Sequence, residues 1–347
     1  MTLGPKVILI ADDLTGALDS SAPFAARGMT VVCATSTDHL DVALRSGAQV
    51  IAVSTGSRDG TEATAVARIL QVRATVESDP LARTAILFKK IDSRMKGHIA
   101  AELQALCNPG QPVLVCPAIP RLGRFVEAGH VAGMGVERAI PVADRAGVDA
   151  SAVLNAWSES QIDTGLAGAA ESAVLVGAAG LAEALARRLT GSAPPTPHQR
   201  LASPALFAIG SRDPITLAQL AGFNVFPAPD GAVPPPPAAS DPVMILQMQP
   251  GRFGATPLQA AARFATGVAL WVKAAQPAAV LACGGSTAEA VLSELGIGLL
   301  EVRGEVLPGL PVSTALTGWP GLQIVTKSGG FGAPDTVSRL ISGSSPR

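Results

Sequence analysis

Two adjacent carboxylates near the start of the chain are the first residues that could do chemistry. Asp12 and Asp13 come directly after the apolar run Val7–Ile10, which predicts a buried strand, and the hydroxyl of Thr15 and the flexible Gly16 follow them. Carboxylates at a strand end suit hydroxyl recognition, cation binding or general-base catalysis. A structural role is also open, with one carboxylate capping the following helix and the other solvated.

A second polar group, Lys89–His98, follows the predicted strand Ala85–Lys89. It brings four cations close to one acid and one hydroxyl, in a chain of which only 15% is charged. These residues are Lys89, Lys90, Arg94 and Lys96, with Asp92 and Ser93 between them. Such a group could neutralise a substrate carboxylate or a phosphoryl group in transfer. Ordinary surface charge is the alternative explanation.

A third loop, Pro117–Arg124, comes after the apolar run Val113–Cys116. Its prolines stiffen the turn. The guanidinium of Arg124 could bind a carboxylate through two parallel hydrogen bonds. From these residues alone, a loop without function is an equal alternative.

The second half of the chain supplies three glycine turns, each at the end of a predicted strand. The turns contain Gly210 and Ser211, then Gly284, Gly285, Ser286 and Thr287, and finally Lys327, Gly329 and Gly330. Glycine lets backbone N–H groups approach phosphate oxygens, and a helix N-terminus favours an anion. Three such turns together indicate a phosphate site better than any one of them, and Lys327 adds a cation.

The elements that must position these groups are short β-rich runs that alternate with Ala-rich helical stretches. The alternation predicts an α/β fold with two domains, each a mainly parallel sheet flanked by helices. We place the domains at residues 1–190 and 201–347, with Gly191–Pro197 as the linker. Another Pro-rich stretch, Pro227–Pro242, is interpreted as a surface connection within the second domain. Ligands of parallel sheets bind beyond the carboxyl ends of the strands, where the polar groups occur.

The composition excludes several classes of protein. Of 347 residues, 48% are hydrophobic, so the chain is not disordered, and a net charge of −1 gives no attraction to nucleic acid or an anionic membrane. The four cysteines show no metal-binding or disulfide pattern. No signal segment or membrane span is evident, so a cytoplasmic location is expected by elimination. The expected partners are small molecules, with a homodimer as a further expectation.

Several common phosphate-binding motifs are missing from the sequence. There is no G-x-x-x-x-G-K-[ST] segment of the P-loop enzymes and no D-F-G or H-R-D segment of the protein kinases. No G-x-G-x-x-G follows the first predicted strand, which weakens a dinucleotide-binding interpretation.

The polar groups, taken in order, resemble the motifs of the four-carbon acid sugar kinase family. The resemblance is carried by Asp12–Gly16, Lys89–Gly97, Pro117–Arg124, Gly210–Ser211, Gly284–Ala288 and Thr326–Gly332. It extends over nearly the whole chain, and the closing Thr-Lys-Ser-Gly-Gly-Phe-Gly is particularly specific.

The resemblance implies a sugar-acid domain followed by a nucleotide domain, with the active site in the interdomain cleft. It implies ATP- and Mg²⁺-dependent phosphorylation of the terminal hydroxyl of a four-carbon or related branched sugar acid. Asp13, Asp92 and Lys90 would be catalytic, with Asp13 the first candidate for general base and Asp92 the second. The acid would contact Asp12, Thr15, Ser93, Arg94, Lys96 and Arg124, and ATP would contact Gly210, Ser211, Gly284, Gly285, Ser286, Thr287, Lys327, Gly329 and Gly330.

Three departures from the family pattern keep other functions open. Lys96 stands where the family has Arg, Ser286 stands where Asp is usual, and residues 133–173 form a shorter segment than in the family. One alternative is therefore a catalytically impaired relative that binds a sugar acid or a nucleotide. Another is a phosphatase that forms an aspartyl-phosphate, although adjacent Asp12 and Asp13 lack the usual Asp-x-Asp spacing.

Overall fold

A computed structural model describes residues 4–191, 194–237, 241–252 and 254–343. The chain divides into two compact units, residues 1–196 and 197–347. Two residues of the predicted linker, Ser192 and Ala193, lie outside the described residues. Within the described ranges, no helix has the length and apolar character needed to cross a membrane.

The N-terminal unit is built on a parallel sheet with the strand order β2-β3-β1-β4-β9-β5. Its strands are β1 (Val7–Ala11), β2 (Val31–Ala34), β3 (Val50–Ser54), β4 (Ile86–Lys90), β5 (Val113–Cys116) and β9 (Val174–Gly177). Its helices are α1 (Leu14–Ala26), α2 (Leu40–Leu44), α3 (Glu62–Ser78), α4 (Ile99–Leu106), α5 (Val142–Ala146), α6 (Glu159–Ala167) and α7 (Ala179–Thr190). All residues of β1 and β3 are buried, as expected for strands of a parallel sheet covered on both faces.

A small antiparallel sheet of the N-terminal unit was not predicted from the sequence. It consists of β6 (Arg124–Glu127), β7 (His130–Gly133) and β8 (Ile140–Pro141). Its first strand begins at Arg124, so this sheet fixes the end of the predicted arginine loop.

The C-terminal unit has the strand order β11-β12-β10-β13-β16-β15-β14. Its strands are β10 (Ala205–Ile209), β11 (Phe226–Pro229), β12 (Val243–Gln249), β13 (Ala279–Cys283), β14 (Leu299–Leu307), β15 (Leu310–Ala315) and β16 (Gln323–Lys327). Its helices are α8 (Pro214–Gln219), α9 (Pro257–Ala275), α10 (Gly285–Glu294) and α11 (Thr336–Gly343). Strands β10 to β13 and β16 pair in parallel, whereas β14, β15 and β16 are joined by antiparallel pairing.

One prediction for this unit was wrong in part. The stretch Pro227–Pro242 was interpreted as a surface connection, but its first three residues belong to β11. Among the described residues of its unit, this strand pairs with β12 alone. Proline is tolerated there because an edge strand does not need every N–H group for pairing.

The register of each sheet aligns the strand ends that carry polar residues. In the N-terminal unit, Ala11 at the end of β1 lies opposite Ser54 of β3 and Lys90 of β4. In the C-terminal unit, Cys283 lies between Ile209 of β10 and Lys327 of β16. The residues that follow these ends are therefore neighbours within each unit.

Candidate functional site

Arg58 joins the two adjacent carboxylates at the end of β1. Its Nε donates to Asp12 Oδ2 at 2.9 Å and its Nη2 to Asp12 Oδ1 at 2.6 Å, while the same Nη2 lies 2.8 Å from Asp13 Oδ1. The Asp12 carbonyl also accepts from the backbone N–H groups of Ser57 and Arg58 at 2.8 and 3.1 Å. This guanidinium therefore fixes both carboxylates relative to the loop that follows β3.

Asp12 is almost completely buried, yet it is held in its ionised form. Burial opposes ionisation, but the charges of Lys89, Arg58 and Lys90 and the hydrogen bond from Arg58 hold the pKa of Asp12 below its ordinary value. The same two carboxylates raise the pKa of Arg58 against the effect of its own burial. The three groups thus form a charged frame whose members stabilise one another.

Asp13 is the N-cap of α1, the structural role left open by the sequence. Its Oδ1 accepts from the backbone N–H of Gly16 at 3.0 Å, and its Oδ2 accepts from the hydroxyl of Thr15 at 2.5 Å. With Arg58 also on Oδ1, both carboxylate oxygens of Asp13 are engaged. A general-base role for Asp13 stays a prediction; the hydrogen bonds and the ion pair that it already makes favour its ionised form, which makes it a weaker proton acceptor than a carboxylate without partners.

The two lysines at the end of β4 lie in opposite environments. Lys89 is fully buried, and its Nζ lies 2.9 Å from Oε2 of Glu102, which is itself buried. The other oxygen of Glu102 accepts from the Ser57 hydroxyl at 2.6 Å. Lys90 is only 6% exposed, and among the described residues its ammonium group has no hydrogen-bond or ion-pair partner. It lies beside α1, because a Cβ built on Gly16 would be 2.8 Å from Lys90 Nζ.

The segment Lys89–His98, called the basic segment below, turns around Asp92 and contacts the predicted loop Pro117–Arg124. Asp92 Oδ1 accepts from the backbone N–H of Arg94 at 2.9 Å, so this carboxylate shapes the turn. Arg124 Nη1 donates to the Ser93 hydroxyl at 2.5 Å, and its Nε and Nη2 donate to the Met134 carbonyl at 3.0 and 2.7 Å. Burial and the neighbouring charge of Arg94 lower the pKa of Arg124, with Asp92 opposing them. Two close guanidinium groups of this kind favour an anion between them.

The basic segment also approaches the acid pair. Gly97 has φ +91, and a Cβ built on it would lie 2.8 Å from Asp12 Oδ2. Only glycine allows this close approach in this backbone conformation. The structure therefore brings Asp12, Asp13, Thr15, Lys90, Asp92, Ser93 and Arg124 to one edge of the N-terminal sheet. Arg94 and Lys96 lie on the same segment with exposed side chains.

The three glycine turns converge at the carboxyl edge of the C-terminal sheet. The backbone N–H groups of Gly210 and Ser211 both donate to the Cys283 carbonyl at 3.1 Å, and Gly284 N–H donates to the Lys327 carbonyl at 2.9 Å. A Cβ on Gly210 would overlap the side chain of Thr287. A Cβ on Gly329 would likewise overlap the Ser211 hydroxyl. At Gly210 the overlap includes the Cβ of Thr287, so a larger residue would displace that side chain, whereas at Gly329 rotation of the Ser211 hydroxyl would relieve most of the overlap.

Helix α10 begins in the middle of this arrangement. Its N-cap, Gly284, provides no side-chain hydrogen bond, so the first N–H groups of the helix are not capped by a side chain. Ser286 is exposed in the first turn, whereas Thr287 is buried beneath it. A helix start of this kind suits a phosphate group.

Lys327 lies beneath the third turn rather than above it. It is almost completely buried, and its Nζ donates to Thr216 Oγ1 at 3.0 Å and to the carbonyls of Ser328 and Gly329 at 3.3 and 3.5 Å. Burial lowers the pKa of Lys327, and Cys283 and Asp213 oppose this effect. Lys327 thereby fixes the path of the turn, and direct contact of its ammonium group with a phosphate stays a prediction.

A cavity of about 780 Å³ opens beside these turns in the C-terminal unit. It is lined by Arg212, Leu217, Gln247, Met248, Gln249 and Pro250. The residues come from the end of β12 and from the segment that follows β10, so the cavity lies at the same edge of the sheet as the glycine turns. Its size and mixed lining are those of a small-molecule site.

Sequence reasoning missed residues that belong to the charged group at the N-terminal sheet edge and to the glycine turns of the C-terminal unit. Arg58 and Ser57 follow β3, and the predicted strand Val50–Val53 could have drawn attention to them because it ends at the same sheet edge. Asp213, which lies three residues after Gly210, was also missed. Its Oδ1 caps α8, and its Oδ2 would lie 3.2 Å from a Cβ built on Gly330.

Comparisons with known proteins agree with this division of the chain. One family model, described as a sugar-binding N-terminal domain, matches residues 7–145, and another, described as a nucleotide-binding C-terminal domain, matches residues 236–337. A D-threonate kinase of Bordetella bronchiseptica is 30% identical over 97% of this chain and 96% of its own length. A D-threonate kinase of Cupriavidus necator is 28% identical over 94% of this chain and 95% of its own length.

A solved structure of a Salmonella typhimurium LT2 protein has the same fold. It superposes with a TM-score of 0.74 at 19% identity and covers 96% of this chain and 98% of its own. The alignment with the Bordetella protein spans 397 positions, whereas this chain has 347 residues, so at least 50 positions of that alignment are gaps here. Those gaps agree with the expected shortening, although its position at residues 133–173 stays a prediction.

Proposed function

This chain belongs to the four-carbon acid sugar kinase family, and we propose that it phosphorylates the terminal hydroxyl of D-threonate or a closely related four-carbon acid. It is a sugar-acid kinase, since two full-length relatives are kinases of this class and its C-terminal unit matches a nucleotide-binding domain. The particular acid, the hydroxyl and the residues that act on them are the proposal.

The observation that carries the acid site is the ammonium group of Lys90, which has no hydrogen-bond or ion-pair partner among the described residues. A buried cation without a partner is costly, because desolvation disfavours its charged form. An oxygen of a bound acid would supply the missing partner at the edge of the unit that matches the sugar-binding domain. Arg124 and Arg94 add two guanidinium groups nearby, which suit the carboxylate of the acid.

The glycine turns support a phosphate site in the C-terminal unit. We propose that the phosphates of ATP bind to the N–H groups of Gly285 and Ser286 at the start of α10 and to the hydroxyls of Ser211 and Ser286. Gly210 and Gly284, whose own N–H groups donate to strand carbonyls, would shape the turns around them. Gly329 and Gly330 complete the turn on the third strand. The neighbouring cavity would hold the adenosine, with Leu217 and Met248 as apolar contacts for the base.

Magnesium is also part of the proposal. The described residues contain no group of three His, Cys, Asp or Glu side chains that could hold a metal ion by themselves. Mg²⁺ in kinases is bound mainly by the nucleotide phosphates and water, with one or two carboxylates. Asp213, beside the turn at Gly330, is the carboxylate that fits this requirement. When bound, the ion would supply positive charge that neutralises the charge developing on the phosphates.

The two alternatives from the sequence are less well supported. The full-length similarity to two kinases does not favour an impaired relative. Lys96 and Ser286, the two substituted positions, both have exposed side chains. A phosphatase that forms an aspartyl-phosphate would need a free carboxylate at the end of β1, and the side chains of Asp12 and Asp13 are engaged by Arg58.

The proposal is tested by ADP release over a panel of four-carbon and branched sugar acids with ATP and Mg²⁺. We expect release that depends on both the acid and Mg²⁺, with D-threonate among the best substrates. Reactions without acid control for ATP hydrolysis. Nucleotide binding without turnover on any acid of the panel would support the impaired relative instead. Hydrolysis of a sugar-acid phosphate without nucleotide would support the phosphatase.

The use of ATP supports a cytoplasmic location, which stays part of the proposal. Homodimer formation also stays a prediction from the sequence.

A further inference from the structure

The N-terminal unit contains a carboxylate, not singled out by the sequence analysis, that has no hydrogen-bond or ion-pair partner among the residues the structure describes. Asp19 lies on α1, three residues after Gly16 and four after Thr15. Side chains at these spacings share one face of a helix. Among the described residues, Asp19 makes no hydrogen bond and no ion pair. The predicted acids differ from it, because Asp12 and Asp13 are both engaged.

The surroundings of Asp19 contain charged groups from several elements. The charges of Lys90 on β4, Arg121 in the turn at Pro120–Leu122 and Asp13 at the start of α1 all act on Asp19, although none of these groups forms an ion pair with it. Glu183 of α7 also faces it, and Arg121 Nε donates to Glu183 at 2.8 Å, so that guanidinium is partly satisfied elsewhere. Lys90 is then the cation near Asp19 that itself has no partner.

The electrostatic balance at Asp19 suits proton transfer. Burial raises the pKa of Asp19 above its ordinary value; Lys90 and Arg121 oppose this effect, and Asp13 adds to it. A carboxylate with a raised pKa is a better proton acceptor, because the efficiency of a general base increases as its pKa approaches the working pH.

Lys90 and Asp19 are complementary to one substrate hydroxyl. A hydroxyl oxygen can accept a hydrogen bond from the ammonium group while its proton is donated to the carboxylate. Both side chains lack a protein partner among the described residues. Asp19 belongs to α1, and the Lys90 ammonium group lies beside Gly16, one turn earlier on the same face of that helix. A hydroxyl bound between them would satisfy both groups at once.

Resting on the proposed kinase activity, we propose that Asp19 is the catalytic base, which accepts the proton of the substrate's terminal hydroxyl while Lys90 binds the same oxygen. As the hydroxyl oxygen forms its bond to the γ-phosphorus of ATP, the bond from that phosphorus to the β–γ bridging oxygen breaks and ADP leaves. The hydroxyl proton moves to the Asp19 carboxylate and passes to water after the product has left. Lys90 stabilises the negative charge on the attacking oxygen.

The other carboxylates have different tasks in this arrangement. Asp13 caps α1 and holds Thr15, and Asp12 is bound in two places by Arg58. Asp92 accepts from the backbone N–H of Arg94 and so shapes the turn of the basic segment.

The test compares Asp19→Asn and Asp13→Asn, with Asp41→Asn, an exposed residue of α2, as the control. We expect Asp19→Asn to lower kcat by about 10²- to 10⁴-fold, the usual contribution of a general base. It should keep its circular dichroism spectrum and its affinity for ATP. The acidic limb of the wild-type pH profile of kcat/KM should be absent from the residual activity of the variant.

Unchanged kcat in Asp19→Asn would overturn the assignment. A pH limb that persists in Asp19→Asn but disappears in Asp13→Asn would assign the base to Asp13 instead. Loss of ATP binding or of the folded spectrum in Asp19→Asn would reveal a structural role and would also overturn it. A wild-type enzyme that is silent on every acid rejects the kinase proposal and Asp19 with it, whereas an active wild type with an equally active Asp19→Asn rejects Asp19 alone.

Discussion

Lys89 Nζ lies 2.9 Å from Glu102 Oε2 inside the N-terminal unit, and the next residue, Lys90, has an ammonium group without a partner among the described residues. Successive side chains of a strand point to opposite faces of the sheet, which separates these two lysines. One cation is therefore part of the folded interior, and the other is available to a ligand.

Exchanging each lysine for methionine should separate stability from activity. Lys89→Met leaves the buried Glu102 carboxylate without its cation, so we expect the free energy of unfolding to fall by about 3–5 kcal/mol. Lys90→Met should remain folded and lose about 10²- to 10³-fold in kcat/KM, as when one electrostatic donor is removed from an active site. Urea unfolding and steady-state kinetics on both variants measure the two effects. Equal stability losses in the two variants would contradict the separation.

Arg58→Lys tests the charged frame at the end of β1. A lysine cannot bind Asp12 in two places and reach Asp13 as well, so we expect a loss of about 1.5–3 kcal/mol in the free energy of unfolding at neutral pH. Arg303→Lys, which affects a half-exposed pair with Glu301, is the matched control and should change little.

The effect of Arg58→Lys should depend on pH in a definite direction. Asp12 has a lowered pKa, so its ionised form stabilises the fold above the ordinary carboxyl pKa, and this contribution is lost as pH falls through the folded-state pKa. The difference between wild type and variant should therefore be full at neutral pH and shrink in acid. Urea unfolding across this range measures it, and a difference independent of pH would contradict the assignment.

Asp19→Asn should stabilise the protein as the pH rises. The folded-state pKa of Asp19 is raised, so wild-type stability falls as pH rises from the ordinary carboxyl pKa through the folded-state value. The neutral amide avoids this loss, and thermal unfolding from acid to neutral pH should show an increasing advantage for the variant. A variant that is less stable than wild type at neutral pH would contradict the unpaired state of Asp19.

Gly210→Ala tests the nucleotide turns. The added methyl group would overlap Thr287, and such overpacking costs about 1–3 kcal/mol. We expect KM for ATP to rise by about one to two orders of magnitude, with KM for the acid unchanged. Gly343→Ala is the matched control, since a Cβ there meets nothing within 4 Å. An equal rise in both KM values would mean that the turn does not serve the nucleotide alone.

The sequence was sufficient to predict the strands that carry the chemistry. The apolar runs before Asp12, Lys90, Gly210 and Gly284 are short, β-rich and closed by polar residues, so the strand ends could be predicted, together with the sheet edge that they occupy within each unit. Strand β5 agrees with its prediction at both ends.

The sequence could not predict which charged residues form structural ion pairs and which remain available to a ligand. Neighbours such as Lys89 and Lys90 look alike in sequence, and only the position of Glu102 on α4 distinguishes them. Arg58 is distant from Asp12 in sequence, so their pairing depends on the register between β1 and β3.

The β6–β7 hairpin was missed because its turn lacks the usual sequence signal. Ala128 and Gly129 both have positive φ, at +45 and +75. Asn-Gly is the common choice for such a turn, and alanine at the first position hides it. By contrast, Pro308-Gly309 between β14 and β15 is an ordinary turn signal that could have revealed that hairpin.

The most direct test of the kinase assignment is the structure of the product formed from ATP, Mg²⁺ and D-threonate. Phosphorus and carbon NMR of the reaction mixture would show whether the γ-phosphoryl group has become a phosphomonoester, and on which carbon. We expect one new phosphomonoester whose phosphorus couples to the terminal CH₂ group, formed together with ADP. Inorganic phosphate with unchanged D-threonate, or a phosphate on another hydroxyl, would contradict the proposed reaction.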